Sequence, residues 1–100
     1  MKVVYTLNAL IDLDQIREYI AERADQDTAV RFIEQMEAAI DNTLSVFPCG
    51  GSTRDDLPEG VRLFRHKTYV ALYSVEDDDD LVVIEAVRRG SRDRGDMFKQ

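Results

Sequence analysis

Apolar and polar positions alternate with a period of two from Gly60 onward. Val61 and Leu63, then Tyr69, Ala71 and Tyr73, each skip a residue, as strands with one buried face do. Leu81-Val82-Val83-Ile84 is a short, largely β-branched run that Glu85 interrupts before Ala86-Val87 closes it. An acidic turn, Glu76 to Asp80, separates the last two segments. The pattern predicts a three-stranded antiparallel meander.

Upstream the period changes. Lys2 to Thr6 reads as a short strand, with Asn8 as the candidate cap of a first helix. Ile11 (or Leu10), Leu13, Ile16, Tyr19 and Ile20 recur at steps of three and four, while Asp12, Asp14, Arg17, Glu18 and Glu22 fall largely on the other side. Asp25 and Asp27 mark a turn. A second helix is expected over about Thr28 to Val46, with Ala29, Phe32 or Ile33, Met36, Ala39 or Ile40, Thr43 or Leu44 and Phe47 as its apolar stripe. A short connection makes the two helices antiparallel neighbours. Pro48 ends the second helix, and a loop rich in Gly, Ser and Asp leads to Gly60. The expected order is β-α-α-β-β-β. That is an α+β fold with a helical hairpin packed on one face of a small antiparallel sheet. The first strand either pairs with the edge of the meander or lies within it.

The length of 100 residues implies one domain, residues 1–100, with a modest two-layer core. Met1-Lys2 leads straight into Val3-Val4-Tyr5, too short for the apolar part of a secretory signal. No apolar run approaches the roughly 20 residues a membrane span needs. The expectation is therefore a cytoplasmic chain that does not meet a membrane. A lone Cys49 and one His exclude a disulfide framework and offer no ligand set for structural zinc, so no cofactor is expected.

Net charge is −7, which argues against general nucleic-acid binding and any direct sequence-specific reading of it. The distribution is uneven. Residues 1–53 carry 4 basic and 9 acidic side chains, and residues 54–100 carry 9 and 11, so the basic groups gather on the sheet half. Arg88, Arg89, Arg92 and Arg94 leave the last strand as a basic tail suited to an acidic or phosphate surface. The bland alternative pairs them with Asp93, Asp96 or the acid run. Arg62 and Arg65, three apart on one strand, should point to opposite faces. One of them then joins the tail patch while the other pairs with Asp55, Asp56 or Glu59. Arg54 is expected to pin the loop to the sheet. His66, beside Lys67 at a strand end, has no carboxylate at a fixed spacing and reads as structural. Asp77 to Asp80 lack the spacing of a calcium loop and read as a solvated turn. Leu10, Tyr19 and Phe32, on helix flanks, are surplus apolar groups that mark a further surface.

Ordered motifs carry a resemblance. Ala9-x-x-Asp12-Leu13-x-x-Ile16-x-x-Tyr19-Ile20-Ala21-Glu22 resembles the first helix of the RelE/ParE superfamily of type II toxin–antitoxin toxins. Leu44-x-x-Phe47-Pro48-x-Gly50 resembles its second-helix exit. Arg54-x-x-Leu57-x-x-Gly60-Val61-Arg62 and Tyr69-Val70-x-x-Tyr73 resemble its central strands. Val82-Val83-Ile84-x-x-Val87-x-x-Gly90-x-Arg92-Asp93 resembles its closing strand and tail. The closer likeness is to ParE.

The ParE resemblance implies a binding inhibitor of DNA gyrase that stalls the enzyme with cleaved DNA and does no bond chemistry of its own. It implies neutralisation by a cognate antitoxin whose C-terminal part folds on the toxin, with Leu10, Tyr19 and Phe32 as candidate contacts. Arg62, Arg65, Arg88, Arg89, Arg92 and Arg94 are the candidate target contacts. The alternative is a RelE-like ribosome-dependent mRNA endonuclease. Such members place a basic residue where this chain has Val70 and a late tyrosine where it has Phe98, while Arg92 matches one of their basic positions. A third class keeps the fold and serves only in assembly or operator binding.

Overall fold

The computed structural model describes residues 1–90. Six elements run in order along the chain: β1 (Lys2–Tyr5), α1 (Leu7–Arg23), α2 (Gln26–Leu44), β2 (Val61–His66), β3 (Tyr69–Glu76) and β4 (Leu81–Arg89). The order and the helical hairpin are those expected, and β2, β3 and β4 form the antiparallel meander. The spatial order is β1-β4-β3-β2. β1 therefore pairs with the meander's edge, and it does so parallel to β4, with Lys2 opposite Leu81 and Tyr5 opposite Ile84. The sheet is mixed rather than wholly antiparallel, because the two helices carry the chain back before the meander begins.

The helix starts have local causes. Thr6, not Asn8, caps α1: its hydroxyl accepts the Ala9 amide hydrogen at 3.1 Å and donates to the Glu85 carbonyl at 3.1 Å. One side chain thus satisfies an orphan helix donor and ties the helix start to β4. Asp25 caps α2 by accepting the Thr28 amide hydrogen at 2.7 Å, and that bond holds its carboxyl below the ordinary range. α2 ends at Leu44, before Pro48, and the exposed Val46 and Phe47 do not extend its buried stripe.

The core lies between the hairpin and one face of the sheet. Leu13 and Ile16 from α1 and Met36, Ile40 and Leu44 from α2 meet Tyr69, Ala71, Tyr73, Val82, Ile84 and Val87. The Met1 amino group donates to the Ser45 carbonyl at 2.7 Å, closing the chain's start onto the end of α2. After α2 the loop returns along the outer edge of β2, where Ser52 bridges Leu63. Gly51 there donates to the Tyr73 hydroxyl at 2.8 Å. No helix among the described residues is long and apolar enough to cross a membrane.

β4 contains one irregularity. Leu72 pairs with Ala86 but Tyr73 pairs with Ile84, leaving Glu85 as an extra residue in the ladder. Such a bulge shifts the alternation by one position. Val82 and Ile84 face the helices before it, and Val87 faces them after it. The interruption visible at Glu85 in the sequence is this phase shift.

Candidate functional site

The bulge sorts the arginines that come after it. Val87 faces the helices, so Arg89 lies on the same side and Arg88 on the other. Arg89 donates through Nη1 to the Tyr19 hydroxyl of α1 at 2.7 Å. The Arg23 guanidinium stacks over the same ring, 3.7 Å from its centroid, and that of Arg89 lies 5.3 Å away. Arg89's hydrogen bond, and then the Arg23 charge, draw the Tyr19 phenol below its ordinary pKa. Tyr69, opposite Arg89 on β3, is buried, and burial pushes its phenol up.

These groups border a groove of ≈ 300 Å³ lined by Asp12, Gln15, Ile16, Tyr19, Tyr69, Val87, Arg88 and Arg89. Its wall depends on Asp12, whose carboxylate accepts the Val87 amide hydrogen at 2.9 Å. The sequence pattern assigns Asp12 to the polar side of α1. The structure turns it toward β4, beyond the end of β1, where no neighbouring strand meets the outer edge. Asp12 takes over the pairing that a strand would supply.

The other side of the sheet presents a second arrangement. Arg65 pairs with Val70, and Val70 with Arg88, so the two arginines flank one valine in a row across three strands. Val70 is 1% exposed, while Arg65 and Arg88 are exposed. The Arg65 guanidinium lies against Gly90, where an added Cβ would sit 2.8 Å from Nη1.

Arg62 and Arg65 do point to opposite faces. Arg62 pairs with Tyr73, away from the row, and its Nη1 donates to the carbonyls of Gly51 at 3.2 Å and Cys49 at 3.4 Å. Those carbonyls take the place of the carboxylates of Asp55, Asp56 or Glu59 as its hydrogen-bond acceptors, because the loop backbone runs beside β2. Arg54 forms a two-point pair with Asp56 at 2.9 and 3.1 Å, within the loop. Arg92, Arg94 and Phe98 lie outside the described residues.

Leu10, Tyr19 and Phe32 do not share one patch. Tyr19 stands nine positions beyond Leu10, which at about 100° per residue puts it on the opposite side of α1. Tyr19 borders the groove, and Leu10 is 48% exposed, with Leu7 and Ile11 also exposed nearby. Phe32 packs edge-on against Tyr69 and His66, at 5.5 and 5.9 Å between centroids. Tyr69 thus joins Phe32 to the groove, and Leu10 belongs elsewhere. His66 is held below its ordinary pKa by burial and then by Lys67, which favours a neutral ring.

Asp12, Gln15 and Tyr69 are the groove residues that sequence reasoning leaves out of the site, together with Arg23, which stacks over Tyr19 beside it. Only the break at Glu85 points their way, since it predicts which arginine turns toward α1. Among the described residues no three His, Cys, Asp or Glu side chains gather to hold a metal ion.

Residues 3–94 match the family described as ParE toxin of type II toxin-antitoxin system, parDE. Among solved structures, the fold is similar to the chromosomal ParDE toxin–antitoxin system from P. aeruginosa. The TM-score is 0.76 at 20% identity, over 89% of this chain and 95% of that one. It is also similar to the toxin–antitoxin complex RelBE2 from Mycobacterium tuberculosis, with a TM-score of 0.66 at 24% identity over 88% of each chain. At these identities the likeness speaks to the fold alone. A comparison with curated proteins finds no match. The family pattern runs from β1 through β4 and beyond, and the fold agrees with it: the chain belongs to the ParE toxin family of type II toxin–antitoxin systems, within the RelE/ParE superfamily.

Proposed function

We propose that this ParE-family toxin acts in the cytoplasm by binding DNA gyrase and trapping it with cleaved DNA, and that a cognate antitoxin holds it inactive. The supporting observation is the row Arg65–Val70–Arg88, in which two guanidiniums flank a buried aliphatic side chain. In-line cleavage of RNA needs groups that take and give protons beside the stabilising cations. Val70 does neither, and His66 sits on the helix-facing side against Phe32. A row of this kind suits recognition. Trapping then results from tighter binding to the cleaved state than to the resealed one.

The test uses purified toxin, gyrase, supercoiled plasmid and ATP, with detergent and protease added before electrophoresis. Accumulating linear plasmid supports the proposal. Unimpeded supercoiling with no linear product overturns it. The second reading, a ribosome-dependent endoribonuclease, draws support from the Tyr19 phenol, which Arg89 makes easier to ionise and so a better proton donor. Cleaved transcripts in a ribosome assay, with gyrase unaffected, would favour it.

A further inference from the structure

The proposed gyrase reading leaves open what Arg65 and Arg88 touch. The two belong to strands on either side of β3, so their Cα atoms stand roughly 10 Å apart on one face. Among the described residues neither is paired with a carboxylate. Like charges set near each other across a sheet are unfavourable unless something answers them. The Arg65 guanidinium lies beside the bare backbone of Gly90, next to the end of β4.

The rest of the charge is arranged around this pair. Lys67 lies in the adjoining β2–β3 turn, and Arg89 and Arg23 continue the positive strip around the edge toward Tyr19. The acid run Glu76 to Asp80 occupies the far end of the β3–β4 hairpin. β3 is 8 residues long, which separates the two ends by roughly 23 Å. That is more than twice the screening length of about 8 Å at physiological salt. A polyanion meeting the arginine end is attracted at contact, while repulsion from the acid run is largely screened. A chain of net charge −7 can therefore meet a polyanion in one orientation.

Two like-charged forks rooted roughly 10 Å apart on one face match a ligand whose negative charges repeat. We propose that Arg65 and Arg88 bind backbone phosphates of the DNA held by gyrase. The toxin then recognises the enzyme–DNA complex better than the enzyme alone, and DNA is a direct part of its target. The contact reads no bases, because it ends at the phosphates. This inference rests on the gyrase reading and adds the second half of the target.

The experiment measures toxin affinity for gyrase with and without a linear duplex that the enzyme binds. The ratio of the two dissociation constants is the readout. For the native toxin, DNA tightens binding by about tenfold or more, as two charge-assisted contacts to phosphate would. The gain weakens with salt at a logarithmic slope of about −2, one counterion for each phosphate neutralised. In the double variant Arg65→Gln/Arg88→Gln the ratio falls to near one, whatever its affinity for bare gyrase. Arg65→Lys/Arg88→Lys recovers part of the gain, and circular dichroism confirms that both variants fold. A native ratio near one, or an unchanged ratio in the glutamine variant, overturns the phosphate contact while leaving the gyrase reading standing. A toxin that binds gyrase in neither condition overturns both.

Discussion

Asp12 of α1 accepts the amide hydrogen of Val87 in β4 at 2.9 Å, joining residues 75 positions apart. The bond stands where β1 has ended and β4 has no strand beside its outer edge. Removing the carboxylate in Asp12→Ala leaves a part-buried N–H without a partner. That costs about 1–3 kcal/mol. For a domain of this size the melting temperature falls by about 4–8 °C per kcal/mol. Asp12→Asn keeps an acceptor oxygen and should lose less. Thermal denaturation followed by circular dichroism compares the two, and equal melting temperatures for Asp12→Ala and the native chain would refute the role.

Gly51 and Gly90 make opposite predictions. A Cβ at Gly51 would lie 2.5 Å from the Leu63 carbonyl oxygen and 2.6 Å from the Tyr73 hydroxyl. The first of these is backbone in a paired strand and cannot step aside. Gly51→Ala should cost about 1–3 kcal/mol, read as a lower midpoint in urea. A Cβ at Gly90 meets only the Arg65 guanidinium, the far end of a flexible side chain. Gly90→Ala should leave the midpoint nearly unchanged.

The tyrosines should separate on titration. Arg89 and Arg23 lower the Tyr19 phenol, while burial raises Tyr5, Tyr69 and Tyr73. In the folded protein one phenol therefore ionises below the ordinary value of about 10 and three above it. Ultraviolet absorbance should show the early step, Tyr19→Phe should abolish it, and Arg89→Met should move it upward. The three raised groups hold their protons when the unfolded chain has lost its own. Their share of stability is full below about pH 10 and is lost as pH rises beyond it.

His66 works in the other direction. Its folded pKa is depressed, so an unfolded chain takes up a proton first as pH falls. Stability should be complete above about pH 6.5 and decline below it. Urea unfolding at stepped pH should show that decline in the native protein and lose this part of it in His66→Leu.

Arg62 and Arg88 separate folding from action. Arg62 bonds the carbonyls of Cys49 and Gly51, so Arg62→Met should lower the urea midpoint. The Arg88 side chain is exposed and bonds to nothing among the described residues, so Arg88→Gln should melt like the native chain yet arrest growth less when expressed without antitoxin. Undiminished arrest at equal expression would remove Arg88 from the contact surface.

The elements are legible in the sequence because each hydrophobic period is long enough to be unambiguous. Helical steps from Leu13 to Leu44 and alternation from Val61 to Val87 place both layers. Direction is not legible for β1, since four residues carry no mark of a parallel or antiparallel neighbour. Thr6 reads as strand because threonine suits strands; its capping bond to the Ala9 amide is local, while its tie to a carbonyl 79 positions away is invisible in the pattern. Asp12 reads as solvent-facing for a similar reason: its partner is a backbone amide, which no side-chain pattern announces. The arginines stand out as a group, but their division between the two faces rests on the ladder.

That division has a hereditary side. The face of each arginine is fixed by its partner on β3, and the bulge absorbs Glu85 as one residue beyond what the ladder needs. Losing that single codon would close the ladder, since Ile84 would run directly into Ala86 with both keeping their partners on β3, and Arg88 and Arg89 would stay on the faces they hold. Relatives without the extra residue would carry the same basic letters to the same addresses, and an alignment must open a gap of one at this point to count them as equivalent.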